Sequence, residues 1–186
     1  MKFICFIGAL ALFLICAGCR SAPPRPAAAP PPPPAAVAGY PNLTARAKEL
    51  EAALANKDYA KFIDLTYPKV VELGGGRDKL LAEMTREMQS WNAEGVELLS
   101  ATCGAPGQFV SDNTGIYAVV PVTTKIKAKD GIFQTDGSLI GVSTDGGVNW
   151  TFVDATGKDQ TELKQILPNL DKLNLPAEKP PVKISD

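Results

Sequence analysis

Eight of the sixteen prolines fall between Ser21 and Gly39, five of them in the unbroken run Pro30 to Pro34. Proline fixes φ and has no N–H to donate, so neither a helix nor a sheet can form across this stretch. Its default is polyproline II, at about 3.1 Å per residue, so that roughly twenty residues reach about 60 Å when extended. The tract therefore splits the chain. An apolar leader precedes it, and 147 residues from Tyr40 to Asp186 follow, enough for one domain with a real core.

The leader opens with Lys2 and continues as an uncharged run from Phe3 to Gly18. A positive start, the hydrophobic stretch Phe3 to Ile15 and the small residues Ala17 and Gly18 follow the grammar of a signal peptide. The residues Cys16-Ala17-Gly18-Cys19 resemble the lipobox of bacterial lipoproteins, with Cys16 in the place usually held by Leu. This resemblance implies cleavage between Gly18 and Cys19 and acylation of Cys19. Bulky Ile15 makes Cys16 a poor alternative target. Arg20 stands where Asp would signal retention at the inner membrane, so the resemblance implies an outer-membrane anchor facing the periplasm. The competing readings are a plain secretory leader and a retained helix, the run being about 17 residues against the roughly 17–25 needed to span. Two or more acyl chains, at about 0.8 kcal/mol per buried methylene, give a stable anchor without a spanning segment. On this reading residues 1–18 are signal peptide, 19–39 the acylated cysteine and its Pro/Ala-rich tether, and 40–186 a single globular domain.

Composition removes several classes of function. All twenty acidic residues and sixteen of the nineteen basic ones lie from Tyr40 onward, a net charge of −4 with no basic stripe, which argues against a nucleic-acid partner. The chain has no His, and so lacks the commonest general base and the commonest metal ligand. Cys5 and Cys16 leave with the leader and Cys19 is acylated, so only Cys103 remains. No disulfide framework, thiolate metal site or cofactor is expected, and Cys103 reads as a small apolar core residue with no His to activate it.

Within the domain, Leu43, Ala47, Leu50 and Leu54 recur at helical spacing from Asn42 to Ala55, with Asn42 or Thr44 as the cap. Asn56-Lys57-Asp58 breaks that helix. A second short helix follows, turns Tyr59, Phe62, Ile63 and Thr66 inward and is ended by Pro68. Lys69 to Leu73 reads as a brief strand, and Gly74-Gly75-Gly76 as a turn; without a Gly-Lys-Ser/Thr ending it is no phosphate loop. Asp78 to Trp91 is a third helix whose stripe of Leu80, Leu81, Met84, Met88 and Trp91 reads as core. The period then changes to two. Val96 to Ala101 is a strand, with another extended piece near Phe109. Ile116 to Ile126 is a long strand in which Pro121 implies an edge or a bulge. Asp130-Gly131 turns the chain into Ile132 to Ser143, where Asp136-Gly137 is a bulge or a second turn. Asp145-Gly146-Gly147 leads into Val148 to Val153, with Val148, Trp150 and Phe152 sharing a face. A helix from about Asp159 to Leu167 and a Pro-flanked tail close the chain.

Two resemblances attach to these residues. Ser143-Thr144-Asp145-Gly146-Gly147-Val148-Asn149-Trp150 is similar to the Asp-box of sialidase-type propellers. A single copy makes no propeller, so it implies a stapled hairpin and no sugar chemistry. Ala53-Leu54-Ala55-Asn56-Lys57-Asp58-Tyr59 with Phe62 and Leu65 resembles the opening helix pair of the ketosteroid isomerase and nuclear transport factor superfamily, which includes SnoaL-like domains. Gly76-Arg77-Asp78-Lys79-Leu80-Leu81 resembles the start of that superfamily's third helix, with the hairpin before it shortened to the three glycines. The resemblance covers about Asn42 to Asp154. It implies an α+β fold in which N-terminal helices pack on a curved antiparallel sheet, the cystatin-like or ketosteroid-isomerase-like cone, with frequent pairing of two copies through the sheet. Activity across the superfamily runs from isomerase to dehydratase to binding alone, so fold does not give function.

The expected function is a lipid-anchored envelope protein whose domain binds a protein partner or a small apolar ligand without catalysis. Tyr59, Phe62, Trp91, Tyr117 and Phe133 are its candidate pocket lining. The alternative is a small isomerase- or dehydratase-type enzyme with a carboxylate base. Asp64, Tyr67 and Tyr117 are the residue types such a site needs, although no spacing selects them. The anchor is testable by metabolic labelling with a radioactive fatty acid. The chain should incorporate label, and Cys19→Ala should abolish it.

Overall fold

The structure is a computed structural model and describes residues 40–167, 170–177 and 179–185. Gly18, Cys19 and the tether lie outside these residues. Among the described residues no helix is long and apolar enough to cross a membrane. The architecture is α+β, a curled antiparallel sheet with helices on both faces.

Four helices come first: α1 (Pro41–Ala55), α2 (Tyr59–Asp64), α3 (Pro68–Leu73) and α4 (Arg77–Ala93). No side chain caps α1. Pro41 occupies its first turn, where a missing N–H costs nothing, and Asn42 instead donates to the Val148 carbonyl at 3.2 Å. Asn56 ends α1, Lys57 takes a positive φ of 58°, and the Asp58 carboxylate accepts from Lys61 N to start α2. The expected strand at 69–73 is a helix. Pro68 begins it rather than ending its predecessor, again as a proline in a first turn. A single parallel bridge, Thr66 to Phe152, separates α2 from α3.

The sheet is built on one long hairpin. β3 (Gly115–Ala128) pairs without interruption with β4 (Gly131–Ser143), closed by a two-residue turn at Lys129-Asp130. The other edge of β3 carries β1 (Glu97–Cys103) and then β2 (Phe109–Asp112) in tandem. The other edge of β4 carries β5 (Thr151–Asp154) and, further along, β6 (Val182–Ser185). Pro121 is not on an edge strand. It sits where β1 has left and β2 has not begun, so its missing N–H falls in a gap in the ladder, and its carbonyl accepts from Gly104 N at 2.8 Å. Asp136-Gly137 is neither bulge nor turn. Both residues stay in register, opposite Thr123 and Val122, and the Thr156 side chain occupies the space a Cβ on Gly137 would need.

Side chains alternate between two covered faces. One buries Ala118, Val120, Val122, Leu139 and Phe152 under Leu43, Ala47 and Leu50 of α1. The other buries Tyr117, Val119, Ile140, Val142 and Val153 under Leu163, Leu167, Leu170 and Leu173, which belong to α5 (Gln160–Ile166) and the segment after it. Asp159 caps α5 in a capping box with Glu162. Gln108 clips the following segment to β2, accepting from Asn174 N and donating to the Lys172 carbonyl.

The Asp-box residues form a closed turn. The Ser143 hydroxyl donates to Asp145 at 2.8 Å and accepts from Gly147 N at 2.9 Å, while Asn149 donates to Asp145 from both backbone and side chain. Those donors, the Asn149 backbone first, hold the Asp145 carboxyl down at about 2. Gly147 has φ 93° and lies against the Tyr40 ring, which leaves no room for a Cβ. The turn runs on through Asn149, so β5 starts only at Thr151 and Val148 does not share the inner face. It is 61% exposed while Trp150 is 1% exposed. Trp150 donates to the Gly147 carbonyl at 3.1 Å and meets Tyr40 edge-on at 5.4 Å between ring centroids. Trp150→Ala should lower the unfolding free energy by about 3–5 kcal/mol. Urea denaturation would show this as a lower midpoint at unchanged slope.

Candidate functional site

The stripe on α4 is not core. Only Leu80 is buried on this helix; Met84, Met88 and Trp91 are half-buried and, with Leu50 and Leu54 of α1 and Phe62 of α2, wall a cleft of about 470 Å³. Its floor is the end of the sheet away from the Asp-box turn: Leu98, Ala101 and Cys103 of β1, Val122, Thr124 and Ile126 of β3, and Thr135 of β4. The volume falls within the roughly 300–1,000 Å³ of small-molecule sites. α4 forms one wall of this cleft. Its N-terminal end is fixed by buried Leu80 and by Arg77, which grips the Asp64 carboxylate with Nε at 2.7 Å and Nη2 at 3.2 Å. The floor includes Thr124 and Thr135, which face each other across β3 and β4.

Phe62 and Trp91 line this cleft. Tyr59 lines a separate opening of about 30 Å³ beside Trp91, a space of water size. Tyr117 lies on the opposite face of the sheet, 7% exposed, its hydroxyl 2.6 Å from that of Thr114. Phe133 sits across from Ile126 beside β6 and is not part of the lining. Asp64, Tyr67 and Tyr117 do not converge. Asp64 is an exposed partner of Arg77, whose guanidinium lowers its carboxyl, and Tyr67 packs against the cluster on the face away from α1. Cys103 donates its backbone N–H to the Glu51 carboxylate and its thiol to the Ala47 carbonyl at 3.9 Å. Burial, then the Glu51 charge, pushes the thiol up to about 12, so it stays protonated and is a poor nucleophile.

Glu87 is the site residue that reading the sequence missed. Leu80, Met84, Glu87, Met88 and Trp91 follow the i, i+4, i+7, i+8, i+11 spacing of one helix face, so an acid interrupts an otherwise apolar stripe. Its place in that spacing was the available signal. Among the described residues Glu87 has no hydrogen-bond or ion-pair partner, and burial alone raises its carboxyl above the usual 4.5. Glu51 also faces the cleft, but Cys103 N holds its carboxylate. Among the described residues no group of three His, Cys, Asp or Glu is placed to hold a metal ion.

No protein-family model matches the chain, and no curated protein matches it in sequence. The residues themselves therefore carry the functional reading.

Because burial raises the Glu87 carboxyl, its contribution to stability is complete below the unfolded value near 4.5 and is lost as pH rises through the folded one. Glu87→Gln should therefore match the wild type in acid and exceed it in stability at neutral pH. Denaturation midpoints measured across that pH range check the sign.

Proposed function

We propose that this is a lipid-anchored protein of the bacterial cell envelope whose domain binds a small apolar ligand in the cleft under α4, without converting it. The carrying observation is the cleft of about 470 Å³ walled by Met84, Met88 and Trp91, because a helix that leaves its apolar stripe unburied leaves room for a guest. A small molecule suits this site better than a protein surface does, since the walls are concave. The anchor is supported by Lys2, the apolar run and Ala17-Gly18-Cys19, and the tether gives the domain its reach. A helix pair, a further helix and an antiparallel meander in that order are compatible with the cone of the ketosteroid isomerase and nuclear transport factor superfamily. Where that resemblance has a hairpin, this chain has α3 and the Thr66 bridge. Pairing of two copies through the sheet, frequent in that superfamily, would have to accommodate Leu163, Leu167, Leu170 and Leu173, which pack on one of its faces.

The enzyme reading has one observation in its favour: Glu87, an unpaired carboxylate with a raised pKa in an apolar cleft, is the kind of group that serves as a base. The tyrosines that would complete an isomerase-like site do not reach it. Binding is tested with 1-octanol, a neutral apolar probe, titrated into full-length protein in lipid nanodiscs with empty nanodiscs as the blank. Saturable binding to one site that shifts Trp91 emission is expected. Thr124→Phe, which fills the floor, should abolish it while the protein remains folded. A folded wild type that never saturates overturns the reading.

A further inference from the structure

The cleft carries a charge pattern as well as an apolar wall. Among the described residues, four carboxylates line it, Glu51, Glu87, Asp154 and Glu162, and one cation, Lys158. Three of the four serve the fold. Glu51 accepts from Cys103 N, Asp154 from Thr156 N at 2.9 Å, and Glu162 from Asp159 N at 3.2 Å. Glu87 is left over, in the middle of the apolar stripe and one helical turn from both Met84 and Trp91. An unpaired carboxylate taken partly out of water is costly to the protein alone. That cost disappears when a guest supplies the missing cation.

Building on the ligand-binding reading above, we infer that the guest is an amphiphile with an apolar chain and one ammonium group, the chain lying along Met84, Met88 and Ile126 and the ammonium on Glu87. Each part follows from a named wall. The apolar side chains accept the chain. The acidic lining repels fatty acids and other anionic amphiphiles. The Trp91 indole, four residues beyond Glu87 on the same wall, is a second group that favours a cation. A neutral guest of the same shape would fill the cleft and leave the Glu87 charge without a partner.

The test compares n-octylamine, 1-octanol and octanoate by calorimetric titration of full-length protein in nanodiscs, at neutral pH, with empty nanodiscs subtracted. Octylamine should bind about tenfold more tightly than octanol, the scale of one charge-assisted hydrogen bond discounted for partial exposure. Octanoate should bind more weakly than octanol. Glu87→Gln should remove the amine's advantage while octanol still binds, whereas Glu87→Asp should keep part of that advantage. Near-ultraviolet circular dichroism confirms that each variant is folded. If octanol binds and octylamine binds no better, or keeps its advantage in folded Glu87→Gln, the ammonium assignment is overturned and the apolar site stands. If no probe binds, both fall.

Discussion

The pairing of β3 with β4 runs without a break from Ile116 opposite Ser143 to Ala128 opposite Gly131, and the other elements take their places from it. A two-residue turn sets the register, and in an antiparallel pair a slip of one residue would send every side chain to the wrong face. With the register set, Ala118, Val120 and Leu139 meet α1 while Val119, Ile140 and Val142 meet α5 and the segment beyond it. Four short strands extend the hairpin, two on each outer edge. Pro121 is tolerated at the sheet's centre because the handover from β1 to β2 leaves no partner for the N–H it lacks.

Packing around this hairpin is uneven, and the unevenness makes the site. At the Asp-box end, Trp150, Tyr40, Leu43 and Phe152 fill the space beneath α1. At the other end Met84 and Met88 of α4 line the cleft together with Thr124 and Thr135 of the sheet. Methionine is unbranched and polarizable, so a wall built from it is adaptable in shape. An acid with no partner among the described residues is a local inconsistency in that wall, of the sort that folding alone does not favour.

Much of the fold was legible because it depends on local chemistry. The long hairpin, the stapled turn from Ser143 to Trp150, the helix at Arg77–Ala93 and the Asp159-capped helix all follow from period, turn residues or caps. The departures share a cause. Pro68 signals a stop when it follows a helix and a start when it occupies the next helix's first turn, and sequence order does not choose between the two. Gly137 looked like a turn, but it answers to Thr156, nineteen residues away. Of the aromatic residues expected in a pocket, Phe62 and Trp91 face the cleft. Tyr117 does not, because the register assigns it to the other face of the sheet.

Alone, the amino-acid sequence determined the order of helices before sheet and the absence of imidazole groups, since each depends on residue type and near-neighbour spacing. Only the tertiary structure decided that the α4 stripe faces empty space and that Glu87 faces it unpaired. The reason is physical. Whether an apolar face is buried depends on the distance between elements that are far apart in the chain, and this cleft is lined by residues of α1, α2, α4 and the sheet together.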